Sequence, residues 1–152
     1  MNQLPQGDRE RLNTLVMASR EYEAQAEQVQ MQLEMINQTI SVTRVTEETV
    51  KNLEHLQDGQ EILLPLGNLA FIKAKVMDSS NVLINIGASV VLEKSLEKAG
   101  VFLAEQLENL NNIQTQLSQG LQQLIQKIQE IRAEVERLAQ QMQSQSRAPV
   151  GG

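Results

Sequence analysis

Leu103, Leu107, Leu110, Gln114, Leu117, Leu121, Leu124, Ile128, Ile131, Val135, Leu138 and Met142 follow one another at strictly alternating steps of four and three. Every one of them except Gln114 is apolar. A repeat of that kind draws one narrow apolar seam along a helix and leaves the rest of its surface polar, which is the pattern of a coiled coil. The first third of the chain carries a second seam: Leu12, Leu15, Ser19, Tyr22, Ala26, Val29, Leu33, Ile36, Ile40, Thr43, Glu47 and Val50, polar only at Ser19, Thr43 and Glu47. Each helix so predicted runs about 50 residues, or roughly 75 Å. Matched lengths favour a chain that folds back on itself, aligning both seams and bringing the two chain ends together at the far tip. A parallel dimer would not need the match. The spacing therefore predicts a mainly α fold, a long antiparallel intrachain coiled coil.

Composition agrees with narrow seams. Aromatic residues make up only 2% of the chain, too few to fill the centre of a compact globule of this size, and a rod is expected. A net charge of −6 disfavours nucleic acid as the main partner. The absence of cysteine excludes disulfides and thiol chemistry. The opening MNQLPQGDRERL contains acids and no apolar core, so a secretory signal is not expected. No uncharged apolar run approaches the roughly 18 residues of a membrane span. A cytoplasmic location is the expectation, and Asn37-Gln38-Thr39 reads as a chance match to the glycosylation pattern.

Between the helices the period changes. Ala70, Ile72, Ala74 and Val76 alternate with Phe71, Lys73 and Lys75, and Val82, Ile84 and Ile86 alternate with Leu83 and Asn85. Turn signals at Gly67-Asn68, Asp78-Ser79-Ser80-Asn81 and Gly87-Ala88 cut the segment into two consecutive β-hairpins. Pro65 cannot donate to a ladder, so its strand belongs at an edge or a bulge. The expected organisation is a first helix over 8–58, capped by Asp8 and stopped at Asp58-Gly59, then hairpins over 61–94. A second helix capped by Ser95 occupies 95–143, and a disordered tail 144–152. Leu53 and Leu56 fall outside the seam register, so the first helix should present a new face there.

Two short hairpins enclose no core, and an isolated hairpin is marginal in water. Ile62, Leu63, Leu64, Leu66, Phe71, Ile72, Val82, Leu83, Ile84, Val90, Val91 and Leu92 would leave apolar faces and open strand edges uncovered. Matching strands from other subunits are the natural cover. The sheet segment reads as an assembly device. Leu63, Leu64, Leu66, Phe71, Ile72, Val82, Leu83, Ile84, Val90 and Val91 are its candidate oligomer-interface residues.

Two heptad helices flanking ILLPLGNLAFIKAKVMDSSNVLINIGASVVLEKS closely resemble the archaeal prefoldin alpha-type subunit. The resemblance covers the folded chain, and its most specific parts are PLGN, KAKV and VLINIGASVVLEKS in that order. The three turn signals favour the alpha type, because beta-type subunits carry one hairpin here. The resemblance implies a hexamer of two alpha and four beta subunits whose hairpins close into intersubunit β-barrels. It further implies coiled-coil tips that hold unfolded client proteins and pass them to a group II chaperonin without ATP. On that reading Leu4, Leu12, Leu15, Val16 and Met17 from one end meet Leu138, Ala139 and Met142 from the other, and these are the candidate substrate-binding residues. Methionine suits a surface that must fit many ligands, being flexible and polarizable.

Catalytic chemistry finds no support in the residues. His55 is the single histidine and sits between Glu54 and Leu56 near a helix end, where a solvated role is expected and no second ligand exists for a metal. The glycines are isolated and no phosphate loop follows them. Asp78-Ser79-Ser80-Asn81 has one carboxylate and reads as a turn. Glu21, Glu23, Glu27 and Glu34 lie mostly off the seam and read as a solvated face. Neither an enzyme nor a cofactor is expected. The competing functions are an ATP-independent holdase and a structural coiled-coil scaffold or adaptor.

Overall fold

The computed structural model describes residues 6–146, with side chains from 7 to 144; Leu4 and the segment 147–152 lie outside the described residues. The order of elements is α1 (Gln6–Leu53), β1 (Glu61–Pro65), β2 (Phe71–Lys75), β3 (Asn81–Gly87), β4 (Val90–Ser95) and α2 (Leu96–Ser146). Two long coiled-coil helices thus flank two antiparallel hairpins, β1–β2 and β3–β4, each a separate two-stranded sheet. The chain divides into two compact units, Met1–Ile36 with Ile113–Gly152, and Asn37–Asn112.

In the first unit the seam positions of both helices are buried or half-buried, with Ser19, Ile128 and Leu138 the most enclosed. The helices run antiparallel. Arg11 donates to Glu134 Oε1 at 2.7 Å, and twelve residues on in α1, Glu23 Oε1 accepts from Arg132, earlier in α2, at 2.9 Å. The polar lapse at Ser19 is resolved locally, because its hydroxyl donates to Glu23 Oε1 at 3.0 Å.

The second unit has the chain's one cluster of buried apolar side chains among the described residues: Val50, Ile84, Ala99 and Leu103, with Val82, Leu96 and Phe102 against it. Strand β3 meets both helices there. The lapses at Thr43 and Glu47 have local answers too. Thr43 Oγ1 donates to the Thr39 carbonyl at 2.8 Å, and Glu47 turns its carboxylate to Lys51 Nζ at 2.9 Å.

Element ends differ from the sequence reading in instructive ways. Helix α1 begins at Gln6, so Asp8 falls within the first turn, where a carboxylate still complements the helix N-terminus. It stops at Leu53, not residue 58. Beyond that point the amides of Glu54, His55 and Leu56 bond three residues back, to Lys51, Asn52 and Leu53, and the helix tightens and ends. Asp58-Gly59 does a different job. Gly59, at φ +82°, donates its N–H to the Val76 carbonyl at 2.7 Å, and Asp58 Oδ1 accepts from the Ser79 N–H at 2.7 Å. The pair ties the helix end to the base of the first hairpin. Leu53 and Leu56 turn to a new partner set, lining a cavity of ≈ 330 Å³ with Ile62, Val76, Val82 and Leu96.

Strand β4 passes into α2 without a linker. Ser95 ends the strand, and its Oγ accepts from the Lys98 N–H at 3.3 Å, as an N-cap does. At the other end α2 continues through Ser146, past residue 143, because no helix breaker occurs before Pro149.

Candidate functional site

The hairpins present the largest display of exposed apolar side chains. In β1–β2, Leu63 (63% exposed), Leu64, Leu66, Phe71 and Ile72 are all open to solvent. Register explains why both faces are involved. Leu64 opposes Ile72 on one face, while Leu63 opposes Lys73 and Pro65 opposes Phe71 on the other. No strand of either sheet is paired on both sides, so every strand keeps one open edge. Such a surface can add strands and bury apolar area against another chain.

The second hairpin behaves differently, and two of the proposed interface residues move. Ile84 is 7% exposed and Val82 is half-buried, both in the intrachain core. Within this chain the two side chains face the helices, on which this part of β3 lies. Leu83, Val90 and Val91 are exposed, as is Leu92 opposite Ile84. Leu83, at 72%, shows the alternation at its sharpest. The sequence showed which residues share a face, but not that one face would be taken by Val50, Ala99 and Leu103.

The turns fix the hairpins' shape. Asp78 Oδ1 accepts from the N–H groups of Ser80 and Asn81 at 2.8 and 3.2 Å, and its Oδ2 accepts from Asn81 Nδ2 at 2.9 Å. The Asn81 side-chain bond first, then the Ser80 amide, hold the Asp78 carboxyl below its ordinary range. The β3–β4 turn is centred on Ala88 and Ser89, at φ 49° and 61°, one position later than Gly87-Ala88. Two successive left-handed residues make the two-residue turn whose twist matches the strands. Gly87, at φ +110°, absorbs the register shift beside it.

At the helix ends of the first unit, Leu138 is buried, while Leu12, Leu15, Val16, Ala139 and Met142 are half-buried. Among the described residues of the proposed tip, Met17 alone is widely exposed, at 71%. Leu4 lies outside the described residues. Glu23 accepts from both Arg132 and Ser19 in this unit. The Arg132 hydrogen bond, then that of Ser19, holds its carboxyl below the usual range.

In the hairpin segment sequence reasoning missed three exposed apolar side chains: Leu69 (97%), Met77 and Ile86. Leu69 and Met77 sit in or beside turns, where Gly67-Asn68 and Asp78 drew attention to the backbone. An apolar residue inside a polar turn signal was the available clue. Among the described residues no group of three acidic, histidine or cysteine side chains could hold a metal, and no helix is long and apolar enough to cross a membrane.

The profile of the family described as prefoldin subunit matches residues 22–141. Prefoldin subunit alpha of Methanoculleus marisnigri is 33% identical over 121 residues, 80% of each chain. Prefoldin subunit alpha of Pyrococcus horikoshii is 29% identical over 122 residues, again 80% of each. Among solved structures, filamentous PFD from Methanocaldococcus jannaschii superposes with a TM-score of 0.67 at 28% identity, covering 78% of this chain and 98% of that one. The prefoldin beta subunit from Thermococcus strain KS-1 shares the fold at a TM-score of 0.54 and 17% identity, covering 98% of this chain and 100% of that one. Paired seam helices, two hairpins with open edges and these matches across both helices and the sheet segment lead to one assignment: the chain belongs to the prefoldin family of chaperone subunits, on the alpha side.

Proposed function

We propose that this chain is the alpha-type subunit of an ATP-independent holdase of the cytoplasm. Its hairpins join those of beta-type subunits in a hexamer of two alpha and four beta chains, closing into β-barrels. Unfolded clients are held at the distal ends of the coiled-coil arms and delivered to a group II chaperonin. The observation that carries this reading is the open, apolar surface of the hairpins on a chain of this family. Leu63, Leu66, Phe71 and Leu83 are each more than half exposed, which demands a partner.

Capture at the ends follows from avidity. A holdase must bind many sequences weakly, and several arms on one client can raise affinity about a hundredfold over a single arm. The test mixes the chain with a beta-type partner, adds chemically unfolded client and follows light scattering, with and without ATP. Protection should be the same in both. Deleting residues 1–17 and 136–152 should abolish protection while sedimentation still reports a hexamer with shorter arms. Unchanged protection in the truncated hexamer would move the client site away from the ends.

A second reading is a structural one, in which the chain assembles with copies of itself. It is supported by the likeness to filamentous PFD, of which 98% is covered. Sedimentation of the purified chain alone separates the two, since open-ended polymers without a beta partner would favour the structural reading.

A further inference from the structure

The two open edges of the first hairpin are not equivalent, and the phase of its backbone bonds separates them. At one end of the ladder Val76 donates its N–H to the Gln60 carbonyl at 3.0 Å, and its carbonyl accepts from the Gly59 N–H at 2.7 Å. At the other end the Ala70 carbonyl accepts from the Leu66 N–H at 2.8 Å. In an antiparallel pair, residues bonded to the neighbouring strand alternate with residues whose N–H and C=O point away from it. Ala70 and Val76 face β1 and are both even-numbered, so Ile72 and Ala74 face it as well. Phe71, Lys73 and Lys75 therefore turn both backbone groups to the open edge of β2. On β1 the outward positions are Glu61, Leu63 and Pro65, and Pro65 has no N–H to give. The complete template for an added strand is the edge of β2.

Its side chains say which strand fits. Phe71, Lys73 and Lys75 share one face of the strand, and all three are exposed. Across the hairpin Lys73 meets the apolar Leu63, and Lys75 meets Glu61. Among the described residues neither lysine is in an ion pair. Lysine on an open edge ordinarily turns other strands away. Set antiparallel about Lys73, a second β2 edge would place lysine against lysine. No strand of this chain answers both charges, because β1 has only Glu61, β4 has only Glu93, and β2 and β3 have no carboxylate.

We propose that the edge of β2 accepts an antiparallel strand of a different subunit, one with carboxylates at two alternate positions followed by an apolar side chain. In chain order that strand reads acid, any, acid, any, apolar. Its acids stand opposite Lys75 and Lys73, and its apolar residue stands opposite Phe71. Directly opposed side chains in such a pair start about 5 Å apart, within reach of an ion pair. Selection at this edge rests on the hairpins being the assembly surface, and it adds which edge is used and which strand chemistry is taken.

The test uses the full-length chain and a labelled synthetic strand peptide of that pattern, with glutamates as the acids, phenylalanine as the apolar residue and threonine between them. Fluorescence anisotropy should report saturable binding that weakens as salt is raised. Amide exchange at Phe71, Lys73 and Lys75 should slow on binding, while Glu61 and Leu63 exchange as in the free chain. Lys73→Glu should lower affinity roughly tenfold or more, and a peptide with lysine in place of its second glutamate should restore it. Leu63 opposite is uncharged, so thermal unfolding of this variant should match the parent. No binding of the acidic peptide, or equal binding of one with lysines at both acidic positions, would overturn the proposal and leave the edge lysines as a guard against pairing. Slowed exchange at Glu61 and Leu63 in place of the β2 amides would move strand addition to β1 and overturn it equally. The mixture contains no beta-type subunit, client or nucleotide, so failure here is distinct from failure of the hexamer and light-scattering tests.

Discussion

The β3–β4 hairpin sets Ile84 against Val50, Ala99 and Leu103 of its own chain, whereas in β1–β2 nothing is more than half-buried. Both segments alternate apolar side chains at period two and both are too short to stand alone. Connection makes the difference. Strand β4 runs straight into α2 through Ser95, so its hairpin is laid on the helices by chain continuity, and the Leu96 N–H bonds back to the Ser80 carbonyl at 3.1 Å. Strand β1 is separated from α1 by residues 54–60, and its hairpin is tied at the base through Gly59, Gln60 and Val76. One hairpin is half structural and half for partners. The other is almost entirely for partners.

The largest expected effect breaks that division inside a single strand. Ile84→Lys places a charge in the only buried apolar cluster among the described residues, at a cost of several kcal/mol. Leu83→Lys, one residue away and 72% exposed, should change the chain's own stability by no more than about 0.5 kcal/mol. Thermal unfolding of the isolated chain, followed by circular dichroism, reads both. Similar losses from the two substitutions would mean that β3 has no privileged inner face.

The first hairpin supplies the reverse case. Phe71→Asp, at a side chain 62% exposed, should leave unfolding of the isolated chain within about 0.5 kcal/mol of the parent. Association with a beta-type partner should fall by more than tenfold, because an anchor in an apolar interface would carry an unpaired carboxylate, costing about 2 kcal/mol or more. Sedimentation of the mixture measures it. If assembly survives while the isolated chain is weakened, the hairpin is structural and the comparison collapses.

Much of this is legible in the sequence. Heptad spacing located every seam position, including Ser19 and Glu47, which stay on the seam although polar. The period change located both hairpins. Helix ends were less legible, because the stop at Leu53 depends on three-residue-back bonding and not on the Asp58-Gly59 signal. For the same reason Ser95 was readable as a cap, since a side-chain oxygen at a helix start is a local matter. What alternation could not reveal was which face of β3 the helices would claim. That depends on contacts between Ile84 and residues far away in sequence, Val50 among them.

The β3–β4 turn carries a smaller effect. Ala88 and Ser89 both sit in the left-handed region, which costs an ordinary L-residue roughly 1 kcal/mol. Ser89→Gly should therefore stabilise the hairpin by up to about 1 kcal/mol. Slower hydrogen exchange of the β3 and β4 amides is the readout. Faster exchange would mean the serine side chain contributes more than its backbone costs.

The smallest effect is acid sensitivity, and it should belong to one turn only. The β1–β2 turn, Leu66 to Ala70, holds no titratable group. The turn into β3 is organised by Asp78, whose carboxylate accepts from the Ser80 and Asn81 amides and from the Asn81 side chain. Those bonds depress its pKa below the usual 3.8, the Asn81 side-chain bond contributing most. A depressed carboxyl stabilises the folded turn fully above its unfolded pKa, and that contribution is lost as pH falls through the lower folded value. The group is exposed, so the loss should loosen a turn and not unfold the chain. Amide resonances of Ser80 and Asn81 should move through one acid transition below pH 3.8, while those of Gly67 and Asn68 show no step of their own. In Asp78→Asn the step should vanish, because the amide can still accept from the backbone but has no proton to gain. A step that persists in that variant would place the titrating group elsewhere, and the turn's hold on β3 would then not depend on charge.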